Sequence, residues 1–272
     1  MNMKSIIALS LTGALTCVIS THALAHSRWV LPTHFSLSSE KGEWVMIDVT
    51  ASNETFNVDK PMGADLVQII TPDGKKTRPS STYKGHRKSV ADYFIKDSGT
   101  YKITNNSDAS YMTTYTLDGK KKRVRANKTE LESVLPKQAK NIKTAYRFAR
   151  VESYITMNSP SDNFTSDGKL LELIPVTHPS DIAENEQVTF KFLFNGNAQQ
   201  GVEVEITADG VRYRNDPKTI KLTSNTDGEI TFTPKAAGRY LLVAEHAGKS
   251  ANALLADKEM GTVFLTFEAQ LN

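Results

Sequence analysis

The sequence predicts an all-β protein made of two β-sandwich domains that are joined by a basic, partly helical linker. Three observations support this fold class. Short segments rich in β-branched and aromatic residues recur along most of the chain, and several alternate apolar with polar residues. Asp-Gly and Asn-Gly pairs, which favour tight hairpins, separate many of them. The clearest helix-like segment is stopped by Pro136 after about two turns.

Residues 1–25 have the three parts of an export signal. Lys4 gives the positive start, residues 5–20 form an uncharged and mostly apolar run, and Ala23-Leu24-Ala25 is a typical cleavage site. The run is shorter than the ~20 residues that span a bilayer. We therefore expect cleavage after Ala25 and a periplasmic protein whose mature chain has no transmembrane segment. Cleavage would also remove Cys17, the only cysteine.

Residues 26–118 are predicted to form the N-terminal β-sandwich. Residues 43–50 are rich in β-branched and aromatic side chains and indicate a largely buried strand. Turn signals at Asp73-Gly74 and Asp118-Gly119 favour hairpins rather than chemistry, since a calcium loop would need several alternating carboxylates. The expected strands cover residues 28–31, 43–50, 66–70, 89–95, 100–104 and 111–117.

Residues 119–168 are predicted to form the linker and a crossing strand. Residues 120–125 are a dense basic run that suits a solvated hairpin or linker, or else a contact with anionic lipid or an acidic partner. Thr129 and Glu132 have the spacing of a helix capping box. Residues 146–155 return to strand composition, but their apolar residues change parity. This change predicts a bulge, or a strand that passes from one sheet to another.

Residues 169–272 are predicted to form the C-terminal β-sandwich. Val188, Phe190, Phe192 and Phe194 alternate with more polar residues and should share one buried face. Residues 202–206 alternate again, with carboxylates between the apolar positions. Residues 230–233, 240–243 and 262–267 supply the remaining strands.

Three stretches of this second domain carry a resemblance: residues 195–204, 226–232 and 237–242. In each, a turn leads into a strand, with Asn195-Gly196, Asp227-Gly228 and Gly238-Arg239-Tyr240 at the turns. The domain resembles the transthyretin-like, carboxypeptidase-regulatory type of β-sandwich. The resemblance implies that the two sandwiches are immunoglobulin-like or transthyretin-like in fold, and such modules serve many functions.

Further stretches lie along the mature chain, at residues 26–32, 85–90, 150–156, 171–181 and 213–215. Through them the chain resembles a bacterial exported family of unknown function, once described as nickel-uptake transporter components. The resemblance implies an exported protein of a metal-uptake context, whose partner is a transition metal ion or an envelope transport protein. It brings no established active site.

Cleavage after Ala25 would make His26 the first residue. An N-terminal histidine can chelate one metal ion through its α-amine and Nδ1, and these nitrogens suit copper or nickel. His34 follows eight positions later and could fold back, and His246 follows a core-like strand. We therefore select His26, His34 and His246 as candidate metal ligands. The alternative is that His26 is incidental, because histidine has many other roles.

Three functions are compatible with the sequence. The first is a periplasmic accessory protein that binds copper or nickel, and the second is a non-catalytic module that binds a protein or glycan partner. The third is a copper enzyme built on His26. No nucleophile motif of the G-x-S-x-G type occurs, so we predict that the protein is not an enzyme. The net charge of +3 is nearly balanced and gives no indication of nucleic-acid binding.

Overall fold

The computed structural model describes residues 26–162 and 164–272, so the predicted signal at residues 1–25 lies outside the described part. The described chain is mostly β, as the sequence predicts. One short α-helix, α1, spans Leu131–Val134, and 3-10 helices lie at Ala64–Leu66, Lys128–Glu130, Pro179–Asp181 and Val211–Tyr213. The strands are β1 Ser27–Pro32, β2 Ser36–Leu37, β3 Glu43–Ser52, β4 Lys60–Pro61, β5 Gln68–Ile70, β6 Lys76–Thr77, β7 Ser81–Lys84, β8 Ser89–Ile95, β9 Gly99–Thr104, β10 Ser110–Leu117, β11 Lys120–Val124, β12 Lys140–Met157, β13 Leu171–Pro175, β14 Val188–Phe194, β15 Asn197–Ala198, β16 Glu203–Ala208, β17 Ile220–Thr223, β18 Glu229–Phe232, β19 Gly238–Lys249 and β20 Lys258–Ala269.

These strands form three sheets. The N-terminal sheet has the order β1-β3-β8-β7, with β4 on β3. The central sheet runs β17-β16-β19-β20-β12-β9-β5-β6, with β2, β10 and β11 attached beside this path. The C-terminal sheet has β13, β14 and β15 in order, with β18 also on β14. The central sheet therefore contains strands from both halves of the chain.

Two hydrophobic cores lie on opposite faces of the central sheet. The core under the N-terminal sheet includes Trp29 and Ile47 and also takes Phe264 from β20. The core under the C-terminal sheet includes Phe190 and takes Leu265, the next residue of β20. Successive strand residues point to opposite faces, so β20 contributes to both cores. The four residues predicted to share a face of β14 are all buried in the C-terminal core.

The segment predicted as a linker and crossing strand, residues 119–168, contains the longest strand of the described chain. Its strand β12 lies in the middle of the central sheet, parallel to β20 and antiparallel to β9 and β10. It thus joins the two halves through backbone hydrogen bonds rather than as a tether. The sequence conceals this role because both faces of β12 are covered over its last eight residues, so no single apolar face stands out.

Residues 146–155 contain no bulge and β12 stays within the central sheet, so neither of the two predicted explanations for the change in parity holds. Pairing continues in register with β20 from Ala145 to Ser153 and with β9 from Tyr154 to Met157. The register shifts only near the start of β12, opposite Thr114 and Thr116. The change in parity instead reflects two buried faces, since Val151 and Ile155 enter the N-terminal core. Tyr146 and Phe148 pack against the C-terminal core.

The basic run lies in the β10–β11 hairpin. Asp118 and Gly119 have φ values of 51° and 73°, as a type I′ turn requires. Lysines on the exposed strand β11 protect this edge of the sheet from further pairing. The capping box is present two residues earlier than predicted, with Asn127 as N-cap and Glu130 closing it. In the described residues, no helix is long and apolar enough to cross a membrane.

Candidate functional site

One face of β12 carries a row of aromatic and charged side chains. Because strand residues alternate in direction, these side chains come from every second position. The row faces the C-terminal sheet, while the residues between them face the N-terminal core. The members of the row are Tyr146, Phe148, Arg150, Glu152 and Tyr154.

A buried ion pair lies near one end of this row. Glu152 is 1% exposed, and the Lys102 ammonium lies 2.8 Å from its Oε2. The ammonium is close enough for an ion pair, but neither carboxylate oxygen receives a well-directed hydrogen bond from the described residues. Burial opposes the charge of Lys102, yet Glu152 outweighs it and raises the pKa of Lys102 well above its ordinary value. The carboxylate therefore keeps unused acceptor capacity in a buried position.

Tyr154 completes this end of the row. Its ring centre lies 5.7 Å from the Lys102 ammonium, and Phe164 packs edge-on against it at 5.2 Å between ring centres. Burial raises the pKa of Tyr154 to about 12, although Lys102 acts in the opposite direction. The phenol is thus neutral at physiological pH.

Arg150 is buried in the middle of the row and is fully engaged. Its guanidinium donates to the carbonyls of Leu171 and Lys169 at 3.0 and 2.9 Å, and to Asp167 Oδ1 at 2.6 Å. Burial would raise the pKa of Asp167, but its hydrogen bond with Arg150 prevails and lowers it. Arg150 therefore fixes residues 167–171 above β12 and serves a structural role.

A polar cavity of about 180 Å³ lies between β12 and residues 164–174, and Lys102, Glu152 and Tyr154 line it. This volume is large enough to hold several water molecules or a small polar group. A larger groove of about 720 Å³ adjoins it and is lined by Tyr146 and Phe148. The cavity and the groove share Gln68, Thr104, Asn106 and Asp167.

The three predicted metal ligands lie in separate places. His26 precedes β1, and His34 follows it, so the six-residue strand separates them by roughly 20 Å. His246 lies in β19, where its ring packs edge-on against Phe194 with 4.9 Å between ring centres. Within residues 26–162 and 164–272, no group of three or more His, Cys, Asp or Glu side chains is arranged to hold a metal ion.

His26 itself contacts a cation. The Lys60 Nζ lies 2.6 Å from His26 Nε2. A charged ammonium can only donate, so Nε2 is the acceptor and the ring proton lies on Nδ1. A metal ion bound at Nδ1 would require that proton to leave and the Lys60 contact to change. Copper or nickel binding at His26 therefore stays a prediction.

The other histidines have local roles. His34 is exposed and lies 3.2 Å from the Thr33 hydroxyl. Burial lowers the pKa of His246, with the Gly201 backbone acting in the opposite direction. His178, which the sequence indicates as a turn residue, caps a 3-10 helix by accepting from the Ser180 backbone N–H.

Lys102 and Glu152 were not predicted from the sequence as site residues. The available signal was the alternation of Arg150, Glu152 and Tyr154 within a strand-like segment, where charges on a buried face are unusual. Lys102 gave no such signal, because it lies in a different strand and meets Glu152 only through the pairing of β9 with β12.

Several solved structures are similar to the chain at low identity. The D0-D1 domain of intimin is 11% identical, with 89% of this chain and 97% of that chain covered and a TM-score of 0.24. The Yersinia pseudotuberculosis adhesin InvE is 10% identical, with coverages of 88% and 58% and a TM-score of 0.21. Escherichia coli alpha-2-macroglobulin is 10% identical, with coverages of 90% and 31% and a TM-score of 0.21. Because all three TM-scores are low, these similarities indicate no function for this chain.

No curated protein matches the chain. A family model does match it, over residues 23–248, and this model describes a domain of unknown function, DUF4198. The match covers most of the sequence. The chain therefore belongs to the DUF4198 family of domains of unknown function.

Proposed function

We propose that the protein is a non-catalytic module of the cell envelope and that it binds a glycan in the groove along β12. The observation that carries this proposal is Glu152. Its buried carboxylate faces a polar cavity with no well-directed hydrogen bond to either oxygen from the described residues. A buried carboxylate that has an ion-pair partner but no well-directed hydrogen bond loses hydration that is only partly replaced, and a ligand that donates to it restores the missing hydrogen bond.

The chemistry of the cavity suits hydroxyl groups. The Lys102 ammonium has three donors, and Glu152 offers only acceptors. A sugar hydroxyl donates and accepts at once, so a single hydroxyl can engage both residues. In the adjoining groove, Tyr146 and Phe148 are half-buried, with Tyr111 against the first ring and Arg150 over the second. Their remaining aromatic surface can pack against the C–H face of a sugar ring.

The amide side chains at the junction support the same ligand class. Gln68 and Asn106 line both the cavity and the groove, and each carries donors together with an acceptor. Ligand sites commonly combine apolar walls with a few convergent polar groups. The export predicted for residues 1–25 would place this module in the periplasm, where cell-envelope glycans occur.

The test is a titration with a panel of neutral oligosaccharides, followed by calorimetry and protein-detected NMR. We expect at least one saturable ligand, with shifts centred on β12, and a loss of tenfold or more in affinity for Tyr146→Ala. The matched control is Tyr213→Ala, because Tyr213 is 82% exposed and lies outside the cavity and the groove. A second variant, Glu152→Gln, keeps the side-chain size but replaces one acceptor oxygen with a donor.

Three outcomes would overturn the proposal. The first is the absence of saturable binding across the panel, and the second is an equal effect of Tyr146→Ala and Tyr213→Ala. The third is a saturable protein ligand that competes at the groove while no sugar binds, which would favour the protein-partner alternative.

Metal binding at His26 is tested separately. A chain cut after Ala25 should bind copper or nickel through the α-amine of His26, and one added N-terminal Gly should abolish tight binding while folding is kept. Equal affinity with and without the added Gly would exclude this chelate. Retained glycan binding in the Gly-extended chain would show that the two proposals are independent.

A further inference from the structure

A second cavity lies on the N-terminal sheet, beside the first residues of β1. There, three neighbouring strands each contribute one residue to a row across the sheet. Arg28 of β1 pairs directly with Ala51 of β3, and Ala51 pairs directly with Lys60 of β4. Directly paired residues point to the same face of a sheet, and neighbouring strands are about 4.8 Å apart. Two long cationic side chains thus flank one short side chain. The resulting cavity has a volume of about 370 Å³.

None of the described residues that line this cavity carries a negative charge. Its described lining consists of His26, Arg28, Ala51, Lys60, Pro61, Met62, Gly63, Leu66, Asn105 and Ser107, and contains no carboxylate. Lys60 contacts the His26 ring rather than an acid. Arg28 is half-buried, and burial together with the nearby Arg147 guanidinium lowers its pKa.

This arrangement differs from that of three other partly buried cations in the described part of the chain. Lys102 and Arg150 each face a carboxylate, and Lys88 pairs with Asp48. A half-buried guanidinium that lacks an anion loses hydration without a compensating ion pair. A bound anion would offset the free-energy cost of this lost hydration. The guanidinium offers a planar fork of donors, and the lysine adds a compact point charge.

We propose that this cavity binds an oxyanion, namely the carboxylate, sulfate or phosphate group of a small ligand, between Arg28 and Lys60. Arg28 donates two parallel hydrogen bonds to two oxygens, and Lys60 approaches from the opposite side of Ala51. The hydroxyl of Ser107, which also lines the cavity, is a further donor. This proposal does not rest on the glycan proposal, although Leu66 and Ser107 line both the cavity and the β12 groove.

The test uses the mature chain, treated with a chelator, in separate titrations with sodium sulfate, sodium phosphate and sodium acetate at constant ionic strength. Backbone amide NMR shifts report the site of binding, and the three salts distinguish the oxyanion classes. We expect saturable shifts at residues 27, 28, 51, 60, 62 and 63 for at least one oxyanion. Arg28→Gln should weaken this binding tenfold or more.

Two further variants separate charge from shape. Ala51→Leu keeps every charge but fills the space between Arg28 and Lys60, so it should also abolish saturable binding. Arg123→Gln removes a similar charge from the exposed strand β11 and should leave the affinity unchanged. Shifts that grow linearly without saturation for all three salts would overturn the proposal. An equal loss of affinity in Arg28→Gln and Arg123→Gln would overturn it as well.

Discussion

The ion pair between Lys102 and Glu152 gives the sharpest test of the described site. Lys102→Met should leave the carboxylate of Glu152, which is 1% exposed, without a counter-ion. At the observed separation of 2.8 Å, Coulomb's law gives about 6 kcal/mol with an effective dielectric constant of 20. The Lys102 side chain is 21% exposed, so water screens part of this attraction. We therefore expect a loss of about 3 kcal/mol in the free energy of unfolding.

A double-mutant cycle measures the pair itself. Glu152→Leu should cost only about 1 kcal/mol, because the long stem of Lys102 lets its ammonium turn towards water. The double variant Lys102→Met/Glu152→Leu should also cost about 1 kcal/mol, since it leaves no unpaired charge. These values give a coupling energy of about 3 kcal/mol, measured by urea unfolding at pH 7.

The matched control is the pair of Lys221 and Glu205. Its separation of 2.9 Å is nearly the same, but its side chains are 75% and 39% exposed. The same cycle on this pair should give a coupling energy below about 1 kcal/mol. If Lys102→Met costs no more than Lys221→Met, or if the buried cycle is additive, burial does not strengthen the pair as we argue.

Three further predictions concern packing and titration. Gly261→Ala should lower the free energy of unfolding by about 1–3 kcal/mol, because the added Cβ would lie 2.5 Å from the backbone N of Leu171. Gly63→Ala is its control in urea unfolding, since the added Cβ meets only a side-chain tip, and equal losses would contradict the packing argument. Tyr154 should ionise at about pH 12, and an ultraviolet titration should lose this step in Tyr154→Phe. Because its folded pKa is raised above the ordinary value of about 10, its contribution to stability is complete below pH 10 and is lost as the pH rises through about 12. His246 should titrate by NMR below its ordinary value of 6.5, and an observed midpoint at or above 6.5 would contradict its burial. Since its folded pKa is lowered, its contribution is present above pH 6.5 and is lost as the pH falls.

Local sequence patterns predicted most strands, because the pattern of each strand depends only on residues that are close to it in the sequence. The alternation from Val188 to Phe194 directly indicated one buried face, and the structure confirms it. The turn at Asp118-Gly119 was likewise predicted from two residues and is confirmed by its φ values. These features depend on backbone geometry and the side-chain period of two, which a sequence displays.

The position of β12 could not be predicted in the same way. Its partner β20 begins more than 100 residues later in the chain, and a parallel pair at such a distance leaves no local signal. Both faces of its second half are buried, so its apolar residues show no single period. The site follows from this placement, since Lys102 of β9 reaches Glu152 only because β9 and β12 are neighbours.

The surroundings of the candidate metal ligand His26 could not be predicted from the sequence either. His26 was selected for its chemistry, but its surroundings depend on β4, which is only two residues long and has no strand signature. Lys60 lies in that strand and places a positive charge against the ring. A cation next to a candidate ligand disfavours a second cation, and no spacing of histidines in the sequence reports this.

A variant of Lys60 therefore distinguishes two possible functions of the cavity between Arg28 and Lys60, which are oxyanion binding and metal binding at His26. Lys60→Met removes one of the two cations that flank Ala51, so oxyanion affinity should fall by tenfold or more. The same change frees His26 Nε2 and removes a repulsive charge, so any copper or nickel affinity of the mature chain should rise. Parallel titrations with sulfate and with copper measure both effects on one variant. If sulfate binding is unchanged while copper binding strengthens, the cavity is a metal site and the oxyanion proposal fails. If sulfate binding falls and copper does not bind either protein, the cavity recognises anions and His26 serves to orient Lys60.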